Sequence, residues 1–397
     1  MNRLDDYRQV APPGAVDFIG KLAERVRGRR FLHLTAGRFG AGIPETLRVV
    51  VPLLGELGVE TNWEITGGDP TFFATAAALR ASLQGAERVL SDQALDHYQE
   101  MNRINAKKLS LDADVVVAHD VEPAGLVAGR GEGGRWVWRC HFDCSRPQRR
   151  AWAFFRQIVG QYDASVFSLP KFTRRVGLPQ YVIHPSIDPL SEKNRDLSSR
   201  EVATALEALR VPHDKPLLVQ IGPFTPDQDP LGVVNAYRLV KKHHPVRLVL
   251  AGTAGEDPRS RDIVSDLREA SAQDEDVIVL DLPPDAHRQI NALQRAATIV
   301  LMKSVREGFG LGAAEAMWKG KPVVGGVAGG LTQQILYDVT GYTVHSVEGA
   351  AFRIRHLLNN PELIARMGAA GREHVRRAFL VTRHLTDYLA LLIHLAR

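Results

Sequence analysis

Residues 299–330 read Ile-Val-Leu-Met-Lys-Ser-Val-Arg-Glu-Gly-Phe-Gly-Leu-Gly-Ala-Ala-Glu-Ala-Met-Trp-Lys-Gly-Lys-Pro-Val-Val-Gly-Gly-Val-Ala-Gly-Gly. The run from Thr298 to Met302 has the near-continuous hydrophobicity of a parallel strand buried on both faces. Leu311 to Trp318 carries Leu, Met and several alanines, which favour helix. Gly320 stops that helix, and Pro322-Val323-Val324 opens another strand. The stretch is therefore strand, Gly-rich loop, helix, strand. Gly308 and Gly310 leave backbone N–H groups open at the helix N-terminus, where unpaired donors and the positive end of the dipole favour an anion. Glu307 and Glu315 bracket that end. Two carboxylates repel a bare phosphate but suit a sugar phosphate: the glycines receive the phosphate and the acids accept hydrogen bonds from hydroxyls. By spacing alone, the same residues also fit two solvated helix-start acids and two turn glycines.

The same alternation extends in both directions. Arg30 to Leu34 is the first strand, followed by the Gly-rich run Thr35 to Glu45 and a helix that starts near Pro44 and stops at Gly58. Further strands are expected at Val59–Thr66, Leu111–Ala118, Trp136–Arg139, Ser165–Ser168 and Tyr181–Ile183, with helices over 14–28, 70–84 and 91–109. Residues 190–200 are polar and read as a linker. Beyond them Leu217–Ile221, Val246–Ala251, Val277–Leu280, Thr298–Met302 and Pro322–Gly325 are strands, with a helix over 231–243, and 346–397 is mostly helical. Strands alternating with helices predict an α/β protein made of two Rossmann-like, doubly wound parallel sheets. Gly40-Ala41-Gly42 offers the start of a dinucleotide fingerprint. Glu45 stands where the third glycine is needed, which argues against a dehydrogenase.

Polar residues at the C-terminal ends of parallel strands mark where such sheets hold ligands. The pair His119-Asp120, His141 with Asp143, and His184 followed by Asp188 stand at such ends, while Glu64 lies within the strand Val59–Thr66. A single histidine there is more often a structural hydrogen-bonding group; several tips together point to a polar pocket. Hydrophobic residues make up 45% and charged residues 24% of 397, enough for two globular domains. The net charge of +5 suits a small anionic ligand. The basic clusters Arg25–Arg30, Lys241–His244 and Arg372–Arg377 are short and lack interleaved aromatics, so no nucleic-acid partner is expected. No apolar run approaches the ~20 residues of a membrane span. Met-Asn-Arg-Leu-Asp-Asp-Tyr has no secretory core, and a cytoplasmic protein is expected. Cys140 and Cys144 read as buried thiols rather than a disulfide or a zinc site.

Glu307-Gly308-Phe309-Gly310-Leu311, the seven residues between the two glutamates, and Gly320-Lys321-Pro322-Val323-Val324-Gly325 together resemble the signature of retaining nucleotide-sugar glycosyltransferases of the GT-B type. The runs Trp138-Arg139-Cys140-His141, Ser186-Ile187-Asp188-Pro189-Leu190-Ser191-Glu192-Lys193-Asn194 and Ala316 to Pro322 narrow the likeness to the trehalose glycosyltransferring synthases. It covers the chain from near residue 30 to the end. The resemblance implies a GT-B fold, two Rossmann-like doubly wound domains facing a cleft. Residues 1–190 would form the acceptor side, with 380–397 crossing back to it, and 191–379 would hold the nucleotide sugar. It implies transfer of glucose from a nucleoside-diphosphate glucose to glucose, giving α,α-trehalose, with closure excluding water. The resemblance, the strand ends and the cations beside Glu307, taken together, assign Glu307, His141 and Asp143 to catalysis. Gly40, Gly42, Lys303, Arg306, Gly308, Phe309, Gly310, Leu311 and Glu315 fall to the donor, and Glu64, His119, Asp120 and Arg139 to the acceptor. No metal or other cofactor is implied, and a homodimer is.

One departure stands out. After the first strand of the second domain the family places an arginine and, five residues later, a lysine that clamp the donor diphosphate. Here those positions are Pro223 and Gln228, flanked by Asp227 and Asp229. Losing one such electrostatic donor costs on the order of 10²–10³ in rate. Lys303, Arg306 and Arg38 are the candidate replacements. The alternative reading is a pseudo-glycosyltransferase that binds a sugar or a partner without turnover. A further alternative is the same fold with a simpler sugar-phosphate donor.

Overall fold

The computed structural model describes residues 2–40, 42–255 and 258–395. Ala41 of the first Gly-rich loop, and Ala396 and Arg397 of the expected returning helix, lie outside the described residues. The chain divides into two compact units, Met1–Ser186 with Val381–Arg397, and Ile187–Leu380.

The first unit holds β1 (Arg30–Thr35), β2 (Glu60–Ile65), β3 (Val115–His119), β4 (Arg135–Cys140), β5 (Ala164–Phe167) and β6 (Gln180–Val182). They form one parallel sheet in the order β2-β1-β3-β4-β5-β6. The second unit holds β7 (Leu217–Ile221), β8 (Arg247–Gly252), β9 (Val277–Asp281), β10 (Ile299–Met302), β11 (Val323–Gly326) and β12 (Gly341–Val344). Their order is β12-β11-β10-β7-β8-β9, again all parallel. Chain direction across each sheet reverses once among the central strands, between β1 and β3 and between β7 and β10. Loops leaving the two strands at such a point diverge and open a crevice at their C-terminal ends.

Helices cover both faces, so the central strands are apolar throughout: β3, β7 and β10 are buried at every position. The core of the first unit is dominated by Trp136, Trp138, Phe155 and Phe167, with Trp138 edge-on to both phenylalanines. Helix starts follow their caps. Asp69 accepts from Phe72 N at 2.7 Å ahead of Pro70, and Ser91 accepts from Ala94 N at 3.1 Å.

Two expectations need correction. The helix expected over 14–28 spans only Ala15–Glu24, because Gly28 turns left-handed (φ 74°) to donate to Gly58 O at 2.8 Å, which fixes the entry to β1. The polar run 190–200, expected as a linker, lies within the second unit and is fastened to it. Asn291 Nδ2 donates to the carbonyls of Glu192 and Arg195 at 3.0 and 2.9 Å, and Arg295 Nη2 donates to Arg195 O at 2.8 Å. A Ser198–Glu201 capping box then starts the helix Ser199–Ala208. Polar composition here serves side-chain-to-backbone fastening rather than solvation.

Candidate functional site

In the second unit the loops after β7 and β10 meet. The β10 loop, Lys303 to Gly310, feeds the helix Leu311–Trp318, whose N-cap is Gly310 (φ 80°) with no side-chain capping bond. Val305 N and Arg306 N donate to Asp227 O at 2.9 and 3.3 Å, tying the loop to the one that leaves β7. Glu307 is held by three donors. Its Oε1 accepts from Gly308 N at 3.0 Å, and its Oε2 accepts from Gln228 Nε2 at 3.0 Å and Ser304 Oγ at 3.2 Å. Gln228, at the position where the resembled family has lysine, is thus a neutral donor that orients Glu307. Gln220 Nε2 in turn donates to Gln228 O at 2.8 Å.

Glycines and one glutamine fix the floor of this loop. Gly330 N donates to Gly308 O at 2.7 Å. The buried Gln334 donates to both Phe309 O and Gly310 O. A Cβ on Gly329 would stand 2.0 Å from Glu307 O, so only glycine lets the β11 loop lie against the β10 loop. Phe309 is buried edge-on to Phe379, while Leu311 is half-buried.

Charge around the loop is distributed unevenly. Lys303 pairs with Asp229, a left-handed residue (φ 47°) whose Oδ1 also caps the helix Pro230–Lys241 through Gly232 N at 3.1 Å. Arg306 is exposed and its guanidinium has no partner among the described residues. Glu315 is only 7% exposed, with Lys193 Nζ at 3.6 Å from its Oε1. Lys319, one turn on, is sealed. Its Nζ donates to Asn194 Oδ1 at 2.9 Å and Glu315 O at 3.2 Å, and burial pushes its pKa down to about 7 against the pull of Glu315.

In the first unit the strand tips converge on Asp120. It is 2% exposed and left-handed (φ 65°), a strained backbone for a non-glycine residue. Trp138 Nε1 donates to its carbonyl at 2.9 Å, His141 N to its Oδ1 at 2.8 Å, and Arg80 Nη1 lies 3.0 Å from its Oδ2. Burial pushes the Asp120 carboxyl up, and Arg80 opposes that shift. Beside it three histidines form a chain. His33 Nδ1 lies 2.9 Å from His119 Nε2, and His119 Nδ1 lies 2.9 Å from His141 Nε2. Burial lowers the pKa of all three, His33 to about 3. His33 and His119 are sealed; His141 is half-buried.

The other expected residues scatter by role. Asp143 is half-buried and its Oδ1 accepts from Ser145 N at 2.9 Å. Glu64 is half-buried, with no partner for its carboxylate among the described residues. Arg139, expected at the acceptor, is fully buried, its Nη2 donating to Ile183 O at 2.7 Å, so its guanidinium is not open to a ligand at the surface. Gly40 and Gly42 both take positive φ, 99° and 78°, and Gly42 caps the helix Ile43–Glu56 without a side-chain bond. Arg38 lies over Trp63, its guanidinium carbon 5.5 Å from the ring centroid, and donates to Trp63 O. Cys140 and Cys144 are free and buried, with sulfurs 4.0 Å apart. Among the described residues no group of His, Cys, Asp or Glu is arranged to hold a metal ion. No described helix is long and apolar enough to cross a membrane.

Sequence reasoning missed His33, Arg80, Lys193, Lys319, Gln334 and the pair Gly329-Gly330. Two of these left a signal: a histidine inside the apolar strand Phe31 to Leu34, and adjacent glycines just after a strand.

Two family models match the chain: trehalose synthase, N-terminal domain, over residues 33–174, and glycosyl transferases group 1, over residues 202–374. A trehalose synthase of Pyrococcus horikoshii is 37% identical across 98% of this chain and 96% of its own. The chain belongs to the trehalose synthase family. A second member, from Rubrobacter xylanophilus, is also 37% identical, across 98% of this chain and 96% of its own. Solved structures extend the likeness at the level of fold. A UDP-forming α,α-trehalose-phosphate synthase from Burkholderia xenovorans gives a TM-score of 0.74 at 14% identity, covering 93% of this chain and 100% of that one. A sucrose-phosphate synthase from Thermosynechococcus elongatus gives 0.70 at 17%, covering 91% and 98%. This trehalose synthase family chain therefore has the GT-B fold, and its chemistry is glycosyl transfer connected with trehalose.

Proposed function

We propose that the protein is a retaining glucosyltransferase that moves glucose from a nucleoside-diphosphate glucose to free glucose, forming α,α-trehalose. The observation that carries this reading is the Glu307 arrangement: a carboxylate held by Gln228, Ser304 and Gly308 N, at the open N-terminus of a helix that buries Glu315 one turn further on. Glu315 accepts hydrogen bonds from the ribose hydroxyls. The N–H groups of Gly308 to Leu311 face the phosphates. Glu307 orients the hydroxyls of the donor glucose. In the first unit Glu64, Asp120, His141 and Asp143 recognise sugar hydroxyls, and His119 and Arg139 support them from beneath.

In the transfer the bond from glucose C1 to the diphosphate oxygen breaks, and a bond from C1 to the acceptor O1 forms on the same face. The acceptor proton passes to the departing phosphate oxygen. No protein nucleophile is required. The departing charge needs a cation, and Arg306, exposed and unpaired among the described residues, supplies it. Lys303 contributes once it leaves Asp229. The Burkholderia xenovorans neighbour of the same fold is a UDP-forming synthase, a precedent for a nucleotide-linked donor.

Pro223 and Gln228 favour a second reading, a pseudo-glycosyltransferase that binds without turnover, because neither can clamp a diphosphate. Calorimetric titration with UDP-glucose, ADP-glucose and the free nucleotides, followed by a product assay with glucose, separates the two. Binding with trehalose formation, weakened at least tenfold by Arg306→Ala, is expected. A folded protein that binds none of these ligands favours the pseudo-enzyme.

A further inference from the structure

His33 stands in the middle of a strand that is otherwise apolar from Phe31 to Leu34, fully buried. Its place follows from the chain it starts: His33 to His119 to His141, with both N···N contacts at 2.9 Å. The two ends of that chain differ. His33 Nε2 is sealed with no hydrogen-bond partner, and its ring lies 4.5 Å from that of Phe31 and 5.8 Å from that of Tyr388. His141 Nδ1 has no partner among the described residues, and His141 is the half-buried member.

Proton counting restricts what such a chain can be. A neutral imidazole has one N–H donor and one bare acceptor nitrogen, and each N···N contact takes one hydrogen. Burial keeps all three rings neutral, and the charges of Arg139 and Arg80 add to this at His141. If His119 carries its hydrogen on Nδ1, His141 Nε2 must be bare and its hydrogen sits on Nδ1. His119 Nε2 is then the acceptor, so His33 also carries Nδ1–H. If His119 carries its hydrogen on Nε2, all three rings become Nε2–H. No mixed arrangement satisfies both contacts. The three tautomers switch together or not at all.

The sealed end decides between the two sets. Either set leaves His33 Nε2 unpaired: the Nε2–H set as a buried donor with no acceptor, the Nδ1–H set as a bare acceptor nitrogen, and an orphaned buried N–H is the rarer of the two in folded proteins. We infer that His33 and His119 are positioning residues that lock His141 as its Nδ1–H tautomer, so that His141 presents a hydrogen-bond donor to a sugar hydroxyl or phosphate oxygen. The identity of that ligand rests on the glucosyltransferase reading; the lock rests on the two N···N contacts, the burial that keeps the rings neutral and the sealed Nε2 of His33. A donor fixed in this way discriminates by chemistry: it pairs with an oxygen lone pair and rejects a group that can only donate. Neither His33 nor His119 needs to touch the ligand.

The test is long-range ¹⁵N–¹H correlation spectroscopy on the full-length protein with ¹⁵N-labelled histidine. Hydrogen on Nδ1 is expected for His33, His119 and His141 alike, unchanged from pH 6 to pH 8. Hydrogen on Nε2 in any of the three, or titration of any of them in that range, overturns the lock. His33→Phe keeps β1 apolar and removes the constraint. His141 in that variant is expected to show a mixture of tautomers, with KM for the sugar ligand raised about tenfold and kcat changed far less. A His33→Phe protein in which His141 stays wholly Nδ1–H refutes the proposal. The spectra need no turnover, so a protein that binds no nucleotide sugar sinks the glucosyltransferase reading while the lock is judged separately.

Discussion

Replacing Gly330 by alanine tests whether the Glu307 loop is placed from below. Gly330 has φ −68° and ψ −13°, a conformation alanine adopts freely, so the substitution introduces no backbone strain of its own. Its Cβ, however, would stand 2.2 Å from Phe309 O and 2.7 Å from Phe309 Cα, where real Cβ contacts essentially never fall under 3.0 Å. The Phe309 peptide must therefore retreat by the 0.8 Å difference or more, carrying its neighbours Gly308 and Gly310 with it. It also pulls on Gln334, which donates to Phe309 O and Gly310 O. Misplacement by about 1 Å costs on the order of 10²-fold in rate, or roughly 2.7 kcal/mol of transition-state stabilisation. Overpacking lowers fold stability by about 1–3 kcal/mol, which leaves a folded protein. The assay is trehalose formation from the nucleotide sugar that binds, with donor affinity by calorimetry and stability by urea unfolding. Gly20→Ala, in the helix Ala15–Glu24 with nothing within 4 Å of the added methyl, is the control and should be neutral or slightly stabilising. If folded Gly330→Ala kept kcat/KM and donor affinity within twofold of the parent, the claim that this glycine sets the loop would be wrong.

Three further outcomes follow from the same geometry. Gln228→Lys puts a cation beside Glu307, 3.0 Å from the present amide, and should tighten binding of UDP or ADP by about tenfold at low salt; unchanged affinity there would place the diphosphate elsewhere. Lys319 has a folded pKa of about 7, below its unfolded value of roughly 10.4, so the unfolded chain binds more protons between those limits and stability rises with pH by up to ~1.4 kcal/mol per unit. Lys319→Met removes that slope, so the parent should gain stability relative to the variant from pH 7 to pH 10 in urea melts; a difference that stays constant contradicts a neutral buried lysine. Arg80→Met leaves the buried Asp120 and its neighbour Glu122 without their cation, at 3.0 and 2.7 Å, and should cost on the order of 3 kcal/mol in unfolding free energy; a loss below 1 kcal/mol would show the pair to be dispensable.

Strand, loop and helix at 299–318 were legible because local chemistry fixes them: a continuous apolar run, two glycines, then good helix formers. The helix Leu311–Trp318 falls on the expected residues. The histidine chain was not legible. His119 and His141 stood out as polar strand tips, but His33 is 86 residues from His119 and joins it only because β1 and β3 pair. Lys319 gave no sign of its burial, since a lysine before Gly320 reads as an ordinary helix-end cation. Its environment is made by Asn194, 125 residues away. The floor of the Glu307 loop is of the same kind: Gly329-Gly330 reads as a turn, and only the approach of the β11 loop shows that the missing side chains are what let two backbones touch.

What the sequence determined by itself was therefore periodic and local: alternating strands and helices, the two-sheet α/β class, and the acids and glycines at strand ends. Periodicity and capping act over a few residues and leave a pattern that can be read along the chain. What the tertiary structure alone decided was partnership: Glu307 with Gln228 and Ser304, Lys303 with Asp229, Asp120 with Arg80, and three histidines in one hydrogen-bonded chain. Hydrogen bonds and ion pairs act over about 3–4 Å in space and are indifferent to sequence separation. The protonation and orientation of each site residue are therefore set by neighbours that only the folded sheets bring near.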